Sequence, residues 1–338
     1  MPLPDELPQH TPLVVTERGA FVENVHYGSY AVVDREGRLL AAAGETVAPM
    51  FTRSTLKPFQ ALPLLAHPDF ATLGLSEPEV ALLCASHNGE ERHVEAVRRL
   101  LARAALDEGA LHCGVHTPYW YTHNDRRPPE SARWTTLHHN CSGKHAGMLL
   151  LARLLGAPTE NYLDRNHPVQ AAIAEAVAYA SGVGDPTRLP WATDGCSAPN
   201  YALPLPALAR AAAWLTRCEP DPCYGHAPRQ IFDAMSRYPE MVSGEGRHDL
   251  DLARAGQGDW IAKGGAEGMQ LLASRRRGQA LAIKIADGNP RALTVVTCAL
   301  LERLGWLDPG ARAAVLRWAD IPVRSVRGET VGRYRALI

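Results

Sequence analysis

Segments with two-residue alternation stand near both ends of this 338-residue chain, and segments with helical periodicity fill the span between them. That order constrains the fold more than any other feature. From about residue 12 to 45 the pattern is a β-meander, with V-V-D-R-E-G-R-L-L reading as strand, a turn at Arg35-Glu36-Gly37, then strand. Gly268–Ser274 and Ala280–Ile285 flank an R-R-R-G turn as a second hairpin. Between these, S-E-P-E at Ser76–Glu79 is a capping box that opens a helix toward Ser86. Val94, Val97, Leu100 and Leu101 share one face of a helix over Glu91–Leu106. Further helices are predicted at His145–Leu155, Val169–Ala180, Pro204–Leu215 and Pro228–Arg237, with closing helices at Pro290–Leu304 and Gly310–Trp318. Terminal strands sharing one antiparallel sheet around an inserted helical middle make an α+β fold. The chain reads as one unit, 1-338, with a sheet lobe from about 12-50 and 260-330 and a helical lobe from about 51-259.

Bulk properties exclude several classes. A net charge of −1 with scattered arginines gives no nucleic-acid signature. No apolar run approaches the ~20 residues needed to span a bilayer. The opening M-P-L-P-D-E-L-P-Q-H has neither the basic nor the apolar region of an export signal, so the expected setting is cytoplasmic. Seven cysteines with no framework spacing read as free or metal-bound thiols.

The chain holds only four lysines, Lys57, Lys144, Lys263 and Lys284, among 35 basic residues. Arginine keeps its proton, whereas a desolvated lysine can lose one, so a scarce lysine is a candidate base or ligand. Ser54 and Lys57 stand three apart in R-S-T-L-K-P-F-Q, a spacing that puts both on one helix face. A neutral Lys57 could take the Ser54 proton, and the helix N-terminus would favour the alkoxide. Alone the spacing is common; it fits equally a capping serine beside a solvated lysine. It gains weight from order. Ser54-Thr-Leu-Lys57, Ser86-His-Asn88 and Lys263-Gly-Gly265 follow the sequence S-x-x-K, S-x-N, K-[TS]-G of penicillin-binding and β-lactamase folds, with glycine in place of the last hydroxyl residue. Lys263 is placed just before the hairpin strands, where it could pair with Ser86.

A second dense segment is L-H-H-N-C-S-G-K-H-A-G-M, from Leu137 to Met148, followed later by D-G-C-S-A-P-N around Cys196. Cysteine and histidine suit zinc, but no C-x-x-C spacing appears, and buried thiols beside surface histidines fit equally well. Cys218 and Cys223 read as exposed loop thiols; Cys84, Cys113 and Cys298 read as core.

Five motifs in order, R-S-T-L-K-P-F-Q-A-L, C-A-S-H-N-G-E, H-N-C-S-G-K-H-A-G-M, D-G-C-S-A-P-N and K-G-G-A-E-G, resemble the Rhizobium-type (class 3, "asparaginase II") L-asparaginases over roughly residues 15 to 330. The resemblance implies a serine β-lactamase/glutaminase-like fold, a homodimer, and hydrolysis of L-asparagine to L-aspartate and ammonia. It implies two Ser-Lys pairs, Ser54 with Lys57 and Ser86 with Lys263. It implies a zinc site at Cys141, Lys144 and Cys196, where the lysine must be neutral, with zinc structural or substrate-orienting. Asp194 would hold the substrate or the metal shell, and Arg53, Asn88, His139 and Asn140 are candidates for the α-carboxylate and amine. Lys284 has no assigned role and reads as a surface or strand lysine.

Spacing leaves the nucleophile open between Ser54 and Ser86; Ser54 is preferred because its base stands one helical turn away. The competing readings are a glutaminase with the same chemistry one methylene further out, an exported penicillin-binding enzyme, against which the missing signal argues, and a non-catalytic amino-acid sensor.

Overall fold

A computed structural model describes residues 7–338. Strands β1 (Thr11–Arg18), β2 (Phe21–Asp34) and β3 (Leu39–Ala43) open the chain, followed by the short β4 (Met50–Phe51). Helices α1 (Lys57–Leu65), α2 (Glu77–Leu83), α3 (Glu91–Arg103), α4 (Tyr119–His123), α5 (Ser142–Leu154) and α6 (Pro168–Ser181) come next. Strands β5 (Trp191–Thr193) and β6 (Pro199–Leu203) precede α7 (Leu205–Leu215), α8 (Ala227–Arg237), α9 (Pro239–Val242) and α10 (His248–Ala255). The chain then returns to sheet with β7 (Trp260–Gly265), β8 (Met269–Ser274) and β9 (Gln279–Ile285), crosses it with α11 (Pro290–Arg303) and α12 (Pro309–Ala319), and ends in β10 (Pro322–Arg324) and β11 (Thr330–Ala336).

The main sheet runs β10-β11-β1-β2-β9-β8-β7, with β3 paired to β2, and every pairing is antiparallel. The fold is therefore α+β, with N- and C-terminal strands in one sheet. Alternation assigns the two faces. Ala31, Val33, Ala280 and Ala282 face the helical lobe, while Tyr30, Val32, Leu281 and Ile283 face α10, α11 and α12. The small residues on the first face let the alanine-rich α7 lie close, with Ala209, Ala212 and Ala213 in the same core. Both faces of β8 are covered, so all six of its residues are buried.

Several expectations shift. The capping box at Ser76 and Glu79 forms as predicted. The helix expected from His145 starts at Ser142, which brings Lys144 into its first turn. Lys263 lies within a strand, opposite Leu271, rather than before the hairpin. A separate three-stranded sheet, β4-β6-β5, was not anticipated and sits beside the candidate site. Among the described residues no helix is long and apolar enough to cross a membrane.

Candidate active site

The β4–β6 pairing delivers the chain to Ser54 through a tight bend. Thr52 donates to the Tyr201 carbonyl through both its N–H, at 3.1 Å, and its hydroxyl, at 2.8 Å. Arg53 then takes φ +49°, a left-handed conformation that costs a non-glycine residue about 1–2 kcal/mol. The Asn200 side chain holds it there from both sides, accepting from the Arg53 N–H and donating to its carbonyl, each at 3.1 Å. A short 3₁₀ turn over Arg53–Leu56 leads into α1, so Ser54 lies where helical N–H groups lack intrahelical partners.

Lys57 begins α1 and is buried, at 1% exposure. It does not engage Ser54. Its Nζ lies 2.9 Å from Ser86 Oγ and also donates to the Ala85 carbonyl. The expected Ser54–Lys57 contact is thus replaced by one to Ser86, because the change from 3₁₀ to α winding turns Lys57 inward. Ser86 lies in an extended segment after α2, fixed by Ser86 N–H to the Val242 carbonyl at 2.9 Å and Asn88 N–H to the Ser243 carbonyl at 2.8 Å. From the edge strand β7, Lys263 brings its Nζ to 2.9 Å from the same Ser86 oxygen and 2.6 Å from the Gly264 carbonyl. Burial pushes the Lys263 ammonium down to about 7; Asp249 opposes that shift, and Lys57 and Arg247 add to it.

Ser54 and Ser86 both line a cavity of about 310 Å³, together with Tyr119, Asn140, Arg247, His248 and the Gly264–Gly268 loop. A larger cavity of about 480 Å³ lies beyond Arg53 and Glu267, lined by His10, Phe51, Asp194 and Lys284. The latter carries no serine, so the smaller cavity is where a serine hydroxyl could meet a substrate.

The expected substrate-holding residues separate. Asn140 is on the cavity wall, its Oδ1 3.0 Å from His116 Nε2. Asn88 is not: fully buried, it donates to the Glu245 carbonyl at 2.9 Å and to Glu90 at 3.1 Å, which pins the loop before Arg247. His139 is also off that wall. Burial first, then His116 and Lys57, push its imidazole down to about 3, so it offers no charge to a carboxylate. Arg53 is already paired, at 2.7 Å with Asp194 and 3.6 Å with Glu267. Burial works against the Asp194 carboxylate, but Lys144 and Arg53 overcome it and hold its pKa below the usual range.

The two cysteines and the lysine of the thiol segments do converge. Lys144 Nζ donates to Cys196 Sγ at 2.9 Å, and Cys196 donates to Asp194 at 3.4 Å. All three residues are at most 5% exposed. The neighbouring Cys196 does most to drive the Cys141 thiol well below its ordinary value, against the pull of burial and with help from Lys57 and Lys144. Cys196 shifts upward for the reciprocal reason, so the pair shares one negative charge. Burial pulls Lys144 down, but the two thiols and Asp194 more than reverse it, and the ammonium balances that charge. His145 Nε2 is buried beside Cys196 without a hydrogen-bond partner, while its Nδ1 is held by the Tyr162 hydroxyl at 2.7 Å. Two thiols and a lysine nitrogen, once deprotonated, offer sulfur and nitrogen donors of the kind zinc takes. Among the described residues no group of three His, Cys, Asp or Glu donors is present, so three donors are reached here only by including the lysine.

Cys84, Cys113 and Cys298 are buried, and Cys218 and Cys223 exposed, as their surroundings in the sequence suggest. Lys284 sits on β9, donating to the Glu267 carbonyl. Sequence reasoning missed Asn200 and Arg247. Asn200 stood inside a quoted motif, but its role depends on β6 meeting β4; Arg247 follows two glycines and carries no local signal at all.

A family model described as L-asparaginase II matches residues 14–336. No curated protein matches the chain. Among solved structures, the native form of a protein named Mglu aligns at 18% identity, covering 83% of this chain and 61% of that one, with a TM-score of 0.38. The same protein in its L-glutamate binding form aligns at 16% identity, covering 82% and 59%, with a TM-score of 0.38. A beta-lactamase from Mycobacterium bovis aligns at 15% identity, covering 82% and 94%, with a TM-score of 0.33. The chain thus spans about three fifths of the length of the Mglu chains it matches.

Proposed function

This chain belongs to the L-asparaginase II family, and we propose that it hydrolyses the side-chain amide of L-asparagine to L-aspartate and ammonia through a serine ester. The family supports an amidohydrolase. The observation that carries the finer reading is the convergence of two buried lysines, each 2.9 Å away, on Ser86 Oγ beside a cavity that Ser54 also lines.

In this reading Ser54 attacks the amide carbon. Its proton leaves by way of Ser86, whose Oγ joins Lys57 to Lys263, so Ser86 and the two amines form one proton path. A serine placed between two amines can accept from one and donate to the other, and a lysine near neutrality can take either role. The Ser54 N–H, free of an intrahelical acceptor, steadies the oxyanion. Collapse of the tetrahedral adduct expels ammonia, which receives its proton along the Ser86 path. Water, deprotonated by the same path, then cleaves the ester and restores Ser54.

Cys141, Lys144 and Cys196 would hold a zinc ion, which when bound would supply a Lewis-acidic centre for orienting substrate. Asp194 links that cluster to Arg53 and so to the Ser54 bend. A homodimer belongs to the same family reading.

The test is ammonia release from L-asparagine by the wild-type protein and by Ser54→Ala and Ser86→Ala. The proposal expects wild-type activity and losses of at least about a thousandfold in both variants, since residues acting as one unit fail together. A serine-bound acyl group trapped on acid quench should map to Ser54. Mapping to Ser86 would exchange the two serines' roles, and full activity in Ser54→Ala would sink the nucleophile assignment.

A further inference from the structure

Arg247 is 7% exposed and stands on the wall of the cavity that Ser54 and Ser86 line. It is the one arginine or lysine on that wall among the described residues. The two buried lysines reach only Ser86 and backbone carbonyls behind it. The two histidines on the wall do not compete for an anion's charge: burial, then Arg247 and His248, push His123 down to about 3, and His248 is occupied by Gln270 at 2.9 Å.

The guanidinium is under-used where it sits. Of its five N–H donors, one reaches the Ser86 carbonyl at 3.3 Å, and Nε is buried without a partner. The ring of Tyr119 faces it, 5.8 Å from the guanidinium carbon. Among the described residues no carboxylate comes within 4.0 Å of it. The nearest buried acid, Asp249, is engaged instead by the Gly264 N–H at 2.8 Å, by Gln270 at 3.2 Å and by His248 at 3.2 Å. A buried cation with free donors is costly unless an anion completes it. Arg53, the cation the motif suggests for this task, already holds two carboxylates.

We infer that Arg247 takes the α-carboxylate of the amino-acid substrate and is the residue that restricts the cavity to free amino acids. The inference rests on the amidohydrolase reading for its substrate. The donor fork of an arginine suits a carboxylate bidentately, and its link to the Ser86 carbonyl ties the bound carboxylate to the segment that carries the proton path.

The experiment compares wild type, Arg247→Met and Arg247→Lys on L-asparagine and on 3-aminopropanamide, which is asparagine without its α-carboxylate. Wild type should strongly prefer L-asparagine. Arg247→Met should lose about a hundredfold or more in kcat/KM for L-asparagine, mostly in KM, and change less than about threefold on 3-aminopropanamide. Arg247→Lys keeps the charge without the fork and should raise KM for L-asparagine about tenfold, leaving 3-aminopropanamide unchanged. This variant reads the proposal even where the methionine variant does not fold. Parallel losses on both substrates in a folded variant would make Arg247 a support for Ser86 and overturn the inference. Should wild type release ammonia from neither substrate, the hydrolase reading fails separately, and calorimetric binding of L-aspartate decides. Binding weakened about tenfold in Arg247→Lys then sustains the carboxylate site; equal binding in variant and wild type removes it.

Discussion

Asn200 grips Arg53 by the backbone, accepting from its N–H and donating to its carbonyl, both at 3.1 Å, and so fixes the left-handed residue that precedes Ser54. The strain at Arg53 persists because a side chain from another strand over-determines it. Asn200→Ala removes both bonds and leaves two backbone groups short of partners. The expected cost is about 1–3 kcal/mol of stability. A larger effect should fall on kcat than on KM, because the Ser54 hydroxyl loses its aim. Thermal unfolding together with steady-state kinetics checks this; unchanged kcat in a destabilised variant would make Asn200 purely structural.

Lys263 sets a pH dependence whose sign follows from its burial. With a folded pKa of about 7 against an ordinary 10.5, the unfolded chain binds a proton between those values that the folded chain does not. Its contribution to folding stability therefore improves as pH rises from about 7 to 10.5, and its penalty is complete below 7. Activity should rise through about pH 7 as Lys263 becomes neutral, and Lys263→Arg should abolish that limb together with most of the rate. Rate profiles of wild type and variant from acid to alkaline pH measure it, and a flat wild-type profile would count against a lysine in the proton path.

Lys144 gives the thiol cluster a distinct signature. Held as an ammonium by the two thiols and Asp194, it must lose a proton before its nitrogen can bind a metal. Zinc uptake should therefore release protons from Lys144 and from the thiol that retains one, and calorimetry in buffers of different ionisation enthalpy reads that release. Lys144→Arg supplies the same charge but no ligand and should abolish tight zinc binding while keeping the fold. Zinc binding equal to wild type in that variant would remove Lys144 from the ligand set.

How much of this was legible in the sequence depended on whether the interaction was local. Val32, Leu281 and Leu272 carry the alternation that placed their strands, and the Ser76–Glu79 box is written within four residues. The convergence of Cys141, Lys144 and Cys196 was implied by the family resemblance and not by spacing. The partner of Lys57 did not. Spacing favours Ser54, but a change of helix type within one turn sends the amine to Ser86, 29 residues on. Strands β10 and β11 were missed because their side chains are largely half-buried or exposed and show no apolar alternation, while β7 ends in a glycine pair that weakens its strand signal. Arg247 depends on two separate loops meeting at Ser86, which no periodicity encodes.

Gly143 explains why the motif reads Cys-Ser-Gly-Lys, and it links the two chemical clusters. A Cβ built on Gly143 would lie 2.4 Å from the Leu82 carbonyl oxygen and 2.8 Å from the Leu82 side chain. The N-terminus of α5, with Cys141 and Lys144 beside it, therefore rests directly against the end of α2, four residues before Ser86. The obstacle is backbone, so an added methyl must push the two helices apart. The higher helix propensity of alanine, worth about 1 kcal/mol, cannot offset overpacking of about 1–3 kcal/mol when the lining is rigid. Gly143→Ala should lower the thermal midpoint and weaken zinc binding. It should also reduce kcat by disturbing Ser86, although Gly143 touches neither cluster's polar atoms. Zinc titration and ammonia release on the same preparation separate the two effects. A variant that keeps wild-type kcat while losing zinc affinity would show that the clusters move independently and that α2 does not transmit the displacement.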